Sequence, residues 1–243
     1  MKKRIWELDA ARGFCIFCMF FVHLFFDLVS FGFIHAHKSN WIVRFFFDGW
    51  GGALFFIISG ISATLGSRPV KRGLQVAGCA LIVSAVTIGM DLSGFSRNMG
   101  IYFGVLHCLA VCMLVWPLFK KLERWSPKTN LIILGSIGVV LTAVGLWMRQ
   151  FILPHNFLMF IGLRGPMGTS DYFPILPYLG FFLLGAVLGK ALYSKRETRF
   201  PRVSTQNIFV RFFCWLGNHS LPVYLIHQPL LFGLVYLLAI LTR

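Results

Sequence analysis

Acidic side chains are scarce in this chain. Eight Asp and Glu stand against 23 Lys and Arg in 243 residues, and charged residues of both signs make up only 13%. A soluble domain carries about a quarter charged residues, so an ordinary water-soluble globule is a poor description. Several functional signatures are missing as well. No Walker loop, GxGxxG fingerprint, HExxH or GxSxG stands in a fitting context, which argues against nucleotide hydrolysis, dinucleotide redox chemistry, zincin chemistry and serine-hydrolase chemistry. The first apolar block has no small-x-small cleavage site and is too long for a signal-peptide core, so it is expected to stay as a span. The six cysteines (Cys15, Cys18, Cys79, Cys108, Cys112 and Cys214) fall mostly inside apolar blocks. A disulfide framework is therefore not expected, and small apolar packing accounts for the Cys15-x-x-Cys18 and Cys108-x-x-x-Cys112 spacings better than a metal does. There is no internal repeat and no low-complexity tract.

The net charge of +15 does not indicate nucleic acid, because the basic residues cluster between apolar blocks instead of alternating with aromatics on a polar face. What is abundant is hydrophobic sequence, 57% of the chain, arranged in seven blocks at roughly 10–31, 45–66, 73–90, 100–119, 130–151, 172–193 and 220–241. About 20 apolar residues cross a bilayer core as a helix. The blocks lack the sustained period of two that barrel strands need. The expected fold is all-α: a polytopic transmembrane helix bundle of about seven spans, forming a single domain over 1–243. Seventeen of the 23 Lys and Arg fall on one side if the N-terminus is cytoplasmic, which places the C-terminus outside. The expected location is the cell (inner, cytoplasmic) membrane. Gly185-x-x-x-Gly189 and the run Gly60, Ala63, Gly66 suit close helix packing. The inner stretch 194–217 begins strongly basic and reads first as a solvated connector with positive-inside charge; its last segment, 207–217, is alternatively an interfacial helix.

Ionisable groups inside a membrane are costly and usually face the bundle interior. His23 and Asp27 are four residues apart in the first span, so they share a face and can touch. They lie about 16 Å and 22 Å beyond Arg12 along the helix axis. A carboxylate beside an imidazole is the base-and-orienter half of a catalytic arrangement; it is equally half of a proton relay, or a polar pair that locks helix packing. His107 in the fourth span is expected near the level of Asp27. His227 in the last span is followed by Gln228 and by Pro229, which frees a backbone carbonyl, so His227 serves either function or a kinked helix. Asp171 precedes the sixth span and reads as its N-cap or as part of an outer site. Arg12, Lys71 and Arg72 sit at the inner surface, where positive-inside charge explains them, as would an anionic, phosphate-bearing cosubstrate.

The run Trp6-Glu7-Leu8-Asp9-Ala10-Ala11-Arg12-Gly13, followed by Met19, His23 and Phe26-Asp27-Leu28, resembles the start of the bacterial relatives of heparan-α-glucosaminide N-acetyltransferase, catalytic domain. In the same order come Phe55-Phe56-Ile57-Ile58-Ser59-Gly60, Ile101-Tyr102-Phe103-Gly104-Val105-Leu106-His107, Ser170-Asp171-Tyr172-Phe173-Pro174-Ile175-Leu176-Pro177 and Leu216-Gly217-Asn218-His219-Ser220-Leu221, running into Tyr224-Leu225-Ile226-His227-Gln228-Pro229. The resemblance covers nearly the whole chain. It implies a transmembrane acyltransferase that takes an acetyl group from cytoplasmic acetyl-CoA and places it on an amine or hydroxyl of a sugar or glycan acceptor across the membrane. On that reading His23 is the catalytic base or acyl carrier, Asp27 its support and His107 an assistant. Arg12, Lys71 and Arg72 hold the CoA phosphates, and Asp171 and His227 belong to the acceptor side. The partners are then the bilayer, acyl-CoA and the acceptor, with no nucleic acid and no metal; a homodimer is compatible with it. The alternative class is a proton-coupled transporter with the intramembrane His and Asp residues as its relay.

Overall fold

The computed structural model describes residues 5–35, 50–94, 99–166 and 169–242, with Trp50 in its backbone alone. Lys2, Lys3, Arg4, Lys38, Arg44, Arg97 and Arg243, part of the charge pattern above, lie outside the described residues, as do residues 45–49 of the second block and Gly168.

The described residues form an all-α fold. In chain order its helices are α1 (Trp6–Ser30), α2 (Trp50–Leu65), α3 (Pro69–Leu92), α4 (Val105–Lys120), α5 (Pro127–Met148), α6 (Ile175–Leu192), α7 (Ile208–Asn218) and α8 (Ser220–Leu241), with a short 3-10 turn, Lys121–Arg124, after α4. Among the described residues the only β-pairing is two isolated bridges. Six helices are long and apolar enough to cross a membrane: α1, α3, α4 with its 3-10 extension, α5, α6 and α8. α2 corresponds to the second apolar block but is described over 16 residues, and the apolar α7 is shorter still.

The chain divides into two compact units, one built from residues up to Phe55 and from Lys195 onward, the other from Phe56–Ser194. In the first unit α1 packs on α7 and α8. The α1–α7 crossing is set by glycine. A β-carbon on Gly13 would overlap the Phe213 carbonyl oxygen, and one on Gly217 would overlap the Asp9 carbonyl oxygen. The two backbones therefore touch, as small residues allow in apolar helix pairs. Phe14, Phe17 and Phe213 fill the flanks edge to face, Phe17 and Phe213 with centroids 5.6 Å apart. Arg12 ties the same crossing, donating to Asp9 Oδ1 and to the Gly217 carbonyl, each at 3.3 Å. Glu7 accepts from Thr198 Oγ1 at 2.8 Å and from the Arg199 N–H at 2.7 Å, which fastens the basic stretch to the start of α1. α7 is capped by the Asn207 side chain, which accepts from the Phe209 N–H. Its Ile208, Phe209, Phe212 and Trp215 remain exposed, the apolar face expected of an interfacial helix.

The second unit rests on α6, which is buried along most of its length. The expected small-residue packing is present. Gly60 of α2 lies against the Phe182 carbonyl, Gly185 against the Ile57 carbonyl, and Gly189 against Ile61. α5 approaches α6 through Gly138, Gly145 and Gly180 in the same manner, and α3 packs on α4.

Candidate functional site

α1 is 25 residues long, about 37 Å at 1.5 Å per residue, so it carries His23 and Asp27 deep along an apolar helix. In the structure these two side chains do not bond to each other. Each bonds across to α8. His23 Nδ1 lies 2.6 Å from His227 Nε2, with the rings edge to edge at a 26° interplanar angle and centroids 4.8 Å apart. One turn along, Gln228 Nε2 donates to both oxygens of Asp27, at 3.1 and 3.3 Å. The expected carboxylate–imidazole contact is thus replaced by two rungs between the same two helices. The physical reason is that the crossing of α1 with α8 supplies each of the two side chains with its own hydrogen-bonding partner. Asp27 is 1% exposed and His227 4%, while His23 keeps partial exposure.

The partners fix the tautomers. His227 Nδ1 sits 2.6 Å from the Tyr224 carbonyl oxygen. A carbonyl only accepts, so Nδ1 carries the proton. With both rings neutral, His227 Nε2 is then an acceptor and His23 Nδ1–H must be its donor. His23 Nε2 is left with its lone pair and no proton, the state of a general base or a nucleophile. Tyr224 sits one turn before His227, so the ring bonds a carbonyl of the preceding turn and also aligns His23; the carbonyl that Pro229 frees is that of Leu225, four residues back, so this bond is not the one expected from Pro229.

His107 is placed differently. Its Nδ1 accepts from the Gly104 N–H at 3.3 Å, and its Nε2 lies 3.1 Å from Ser84 Oγ. Ser84 Oγ in turn donates to the Ile101 carbonyl at 2.5 Å, so His107 Nε2–H is the donor to Ser84. Both ring nitrogens are engaged, one of them in closing the N-terminus of α4. Asp171 caps the same helix end: its Oδ2 accepts from the Val105 N–H at 3.0 Å. It caps α4 and not the sixth-block helix it precedes, whose N-cap is Pro174. A negative charge there also complements the α4 dipole. Ser170 Oγ donates to the Met99 carbonyl and Thr169 Oγ1 to the Gly100 carbonyl, and the Phe173 N–H donates to the Phe103 carbonyl. The motif around 101–107 and the motif around 170–177 are therefore one interlocked loop structure. Tyr172 donates to the Met159 carbonyl at 2.7 Å, and burial pushes its phenol up against the opposing pull of Arg164 and Arg149.

Among the cationic candidates, Arg12 spends donors on Asp9 and Gly217 as described. Lys71 and Arg72 are exposed in the first turn of α3, in the other unit. All six cysteines are free thiols. Cys214 donates its thiol to the Trp6 carbonyl, and burial pushes it up, so it is a poor nucleophile. No cluster of three His, Cys, Asp or Glu that could hold a metal occurs among the described residues. The residue given least weight by sequence reasoning is Gln228. Its signal was present, since it follows His227 directly inside the last motif.

Helices of spanning length, with two polar rungs set into an apolar helix pair, define a multi-pass membrane protein with chemistry-bearing groups inside its spans. The family model for heparan-alpha-glucosaminide N-acetyltransferase, catalytic, matches residues 4–229, and the chain belongs to that family. No curated protein and no solved structure matches. Membership supports a transmembrane acyltransferase-like function. It is in keeping with the sequence motifs, whose first and last members meet at the His23–His227 and Asp27–Gln228 rungs.

Proposed function

We propose that this protein is a membrane-embedded acyltransferase that moves an acetyl group from acetyl-CoA on the cytoplasmic side to an amine or hydroxyl of a sugar or glycan acceptor on the outer side. The observation that carries the reading is the chain from the Tyr224 carbonyl through His227 to His23. It leaves His23 Nε2 as the unprotonated nitrogen. That nitrogen removes the proton from the attacking acceptor as its lone pair adds to the thioester carbonyl. The C–S bond then breaks, and the imidazolium returns the proton to the departing thiolate. A positioned base of this kind contributes roughly 10²–10⁴-fold. The same lone pair would serve a covalent acyl-His23 intermediate. His227 is the positioning residue, in the place first expected for Asp27. Lys71 and Arg72, exposed and cationic, are the groups we assign to the CoA phosphates. Arg12 keeps a share of that role beside its structural bonds. His107 and Asp171 hold the start of α4 and the loop before α6.

The test is release of free thiol from acetyl-CoA by the purified protein, with amino sugars and glycan fragments as acceptors. Turnover abolished by His23→Ala and kept by Cys15→Ala supports the proposal. Thiol release that survives His23→Ala refutes it. The His23–His227 contact also suits a proton relay, and that reading predicts proton flux in sealed liposomes with no thioester present.

A further inference from the structure

The first unit offers a second place for a ligand, at the opposite end of α1 from the polar rungs. A cavity of about 360 Å³ opens there beside the crossing of α1 with α7. Trp6 and Asp9 line it from α1, Arg211, Trp215 and Asn218 from α7, and Thr205 from the turn before α7. All of them belong to the first unit. Asp9 lies about 21 Å from His23 along the α1 axis at 1.5 Å per residue, so the cavity is no part of the histidine rung.

Its lining carries one group of each charge and a pair of indole rings. The Arg211 guanidinium is exposed and has no ion pair or side-chain hydrogen bond among the described residues. Asp9 accepts from Arg12 at Oδ1, and a carboxylate has room for about four donors. Trp6 packs edge to face on Phe200, centroids 6.4 Å apart, and Trp215 packs on His219 at 4.8 Å, so both rings are braced. By helical spacing Arg211, Trp215 and Asn218 share one face of α7, while Ile208, Phe212 and Trp215 share the next. Trp215 is the edge common to both. Ile208, Phe212 and Trp215 are exposed, so a cavity of mixed charge runs into an uncovered apolar strip. Its level fits a membrane surface: Trp6 and Asp9 begin a helix of spanning length, and Trp favours the membrane–water boundary.

We propose that this cavity holds the headgroup of a phosphatidylethanolamine lipid, its phosphate on Arg211 and Thr205, its ammonium on Asp9, and its acyl chains along Ile208 and Phe212. The charges select the occupant. A zwitterionic headgroup brings an anion to Arg211 and a cation to Asp9 together. A purely anionic headgroup leaves Asp9 beside a like charge, which costs affinity. A choline headgroup has both charges but no N–H to give to Asp9, and keeps only the attraction of the rings. The ethanolamine ammonium has both the donors and the ring attraction. Arg211 matches the phosphate with parallel N–H donors, and the Thr205 hydroxyl adds another. A soluble ligand of the same charges has no use for the apolar strip, whereas a membrane lipid brings the chains that cover it. Seated there, the lipid fastens the start of α1 to α7. This assignment stands apart from acyl transfer and does not depend on it.

The experiment is native mass spectrometry of the purified full chain in detergent, titrated in turn with dioleoyl phosphatidylethanolamine, phosphatidylglycerol and phosphatidylcholine. The parent protein is expected to bind phosphatidylethanolamine about tenfold tighter than either of the others, the scale of one charge-assisted hydrogen bond. Arg211→Gln should weaken that binding about tenfold. Arg202→Gln removes the same charge from the exposed basic stretch, away from the cavity lining, and should leave binding within about twofold of the parent. Asp9→Asn should abolish the preference over phosphatidylglycerol. Equal binding of the three lipids overturns the proposal. Equal losses in Arg202→Gln and Arg211→Gln also overturn it, since they mark a basic surface and no headgroup site. Soluble phosphoethanolamine binding as tightly as the lipid gives the cavity to a free ligand, and displacement of the lipid by equimolar coenzyme A gives it to the cosubstrate; either result overturns the lipid assignment. Gel-filtration elution at the parent volume identifies a folded variant, and the exposed Arg211→Gln supplies the result if Asp9→Asn does not fold.

Discussion

Replacing His227 tests the central geometry directly. In the native protein its ring bridges the Tyr224 carbonyl and His23 Nδ1, each at 2.6 Å. In His227→Ala both bonds vanish. The His23 Nδ1–H loses its acceptor among apolar neighbours, and leaving a buried donor unsatisfied costs about 1–3 kcal/mol. His23 can recover part of that by turning or by moving its proton to Nε2, and either change removes the base. In the serine-protease triad, a wrong tautomer with intact geometry lowers kcat by about 10⁴. Losing a positioned base altogether costs about 10²–10⁴-fold. We therefore expect kcat for His23-dependent thiol release to fall by about 10²–10⁴ in His227→Ala. His227→Gln is the informative partner, because its Oε1 can stand near the place of the imidazole Nε2 and accept from His23 Nδ1–H. It should recover at least about tenfold of the loss, as one hydrogen bond near 1.4 kcal/mol would. Steady-state kinetics of thiol release gives kcat and KM separately, and 15N NMR of histidine-labelled protein reports which His23 nitrogen carries hydrogen. Parental kcat in His227→Ala, or a spectrum with hydrogen on His23 Nε2 in the parent protein, would refute the reasoning.

Three further outcomes follow from the packing. Gly13→Ala places a methyl group against the Phe213 backbone carbonyl, which cannot rotate away, so it should destabilise by about 1–3 kcal/mol; Gly78→Ala, at a helical glycine with open space around it, should instead gain up to about 1 kcal/mol from helix propensity. Thermal unfolding of the two variants in detergent checks the contrast, and equal shifts would contradict the glycine crossing. Asp171→Ala removes the cap of α4 and should cost about 0.5–2 kcal/mol, read as a lower unfolding temperature. His107→Asn, which keeps an acceptor for the Gly104 N–H, should retain most of kcat; a loss as large as that of His23→Ala would restore His107 to the proton chemistry.

The helices were legible because apolar block length is a direct consequence of bilayer thickness. The blocks at 130–151 and 220–241 differ from α5 and α8 by three residues at most. A helix in 207–217 was one of two readings of that stretch, carried by Phe209, Phe212 and Trp215, the other being a solvated connector; the structure has the helix. Pairing was not. An i,i+4 spacing shows that His23 and Asp27 share a face, but only the crossing of α1 with α8 decides what that face meets, and the crossing depends on contacts between residues some 200 positions apart. Asp171 illustrates the same limit. Its place before a helix suggested a cap for that helix, while the chain folds it onto the start of α4, because Gly104 lets the carboxylate come close. His107 stood out as a lone intramembrane histidine, yet what absorbs it are a serine, a backbone N–H and a carbonyl, groups too common to mark a sequence.

The distribution of partners separates the polar groups by what they have left to give. In the second unit His107 has both nitrogens engaged, and the Asp171 carboxylate is committed to a helix end. In the first unit the two rungs are asymmetric. Following the bonds outward from the Tyr224 carbonyl, each group fixes the next, and the series ends on His23 Nε2, a nitrogen with an unused lone pair. Following them from Asp27, the series ends on Gln228 Oε1, an oxygen with an unused lone pair. Of the two ends, Gln228 Oε1 is buried, where an acceptor left without a donor costs stability, while His23 is partly exposed. Here both series end open, and they end on adjacent rungs of one helix pair. On the acyltransferase reading proposed above, an acceptor molecule with hydrogens to give would supply what both ends lack, and that reading predicts that His23→Ala and Gln228→Met will be strongly non-additive in acceptor binding.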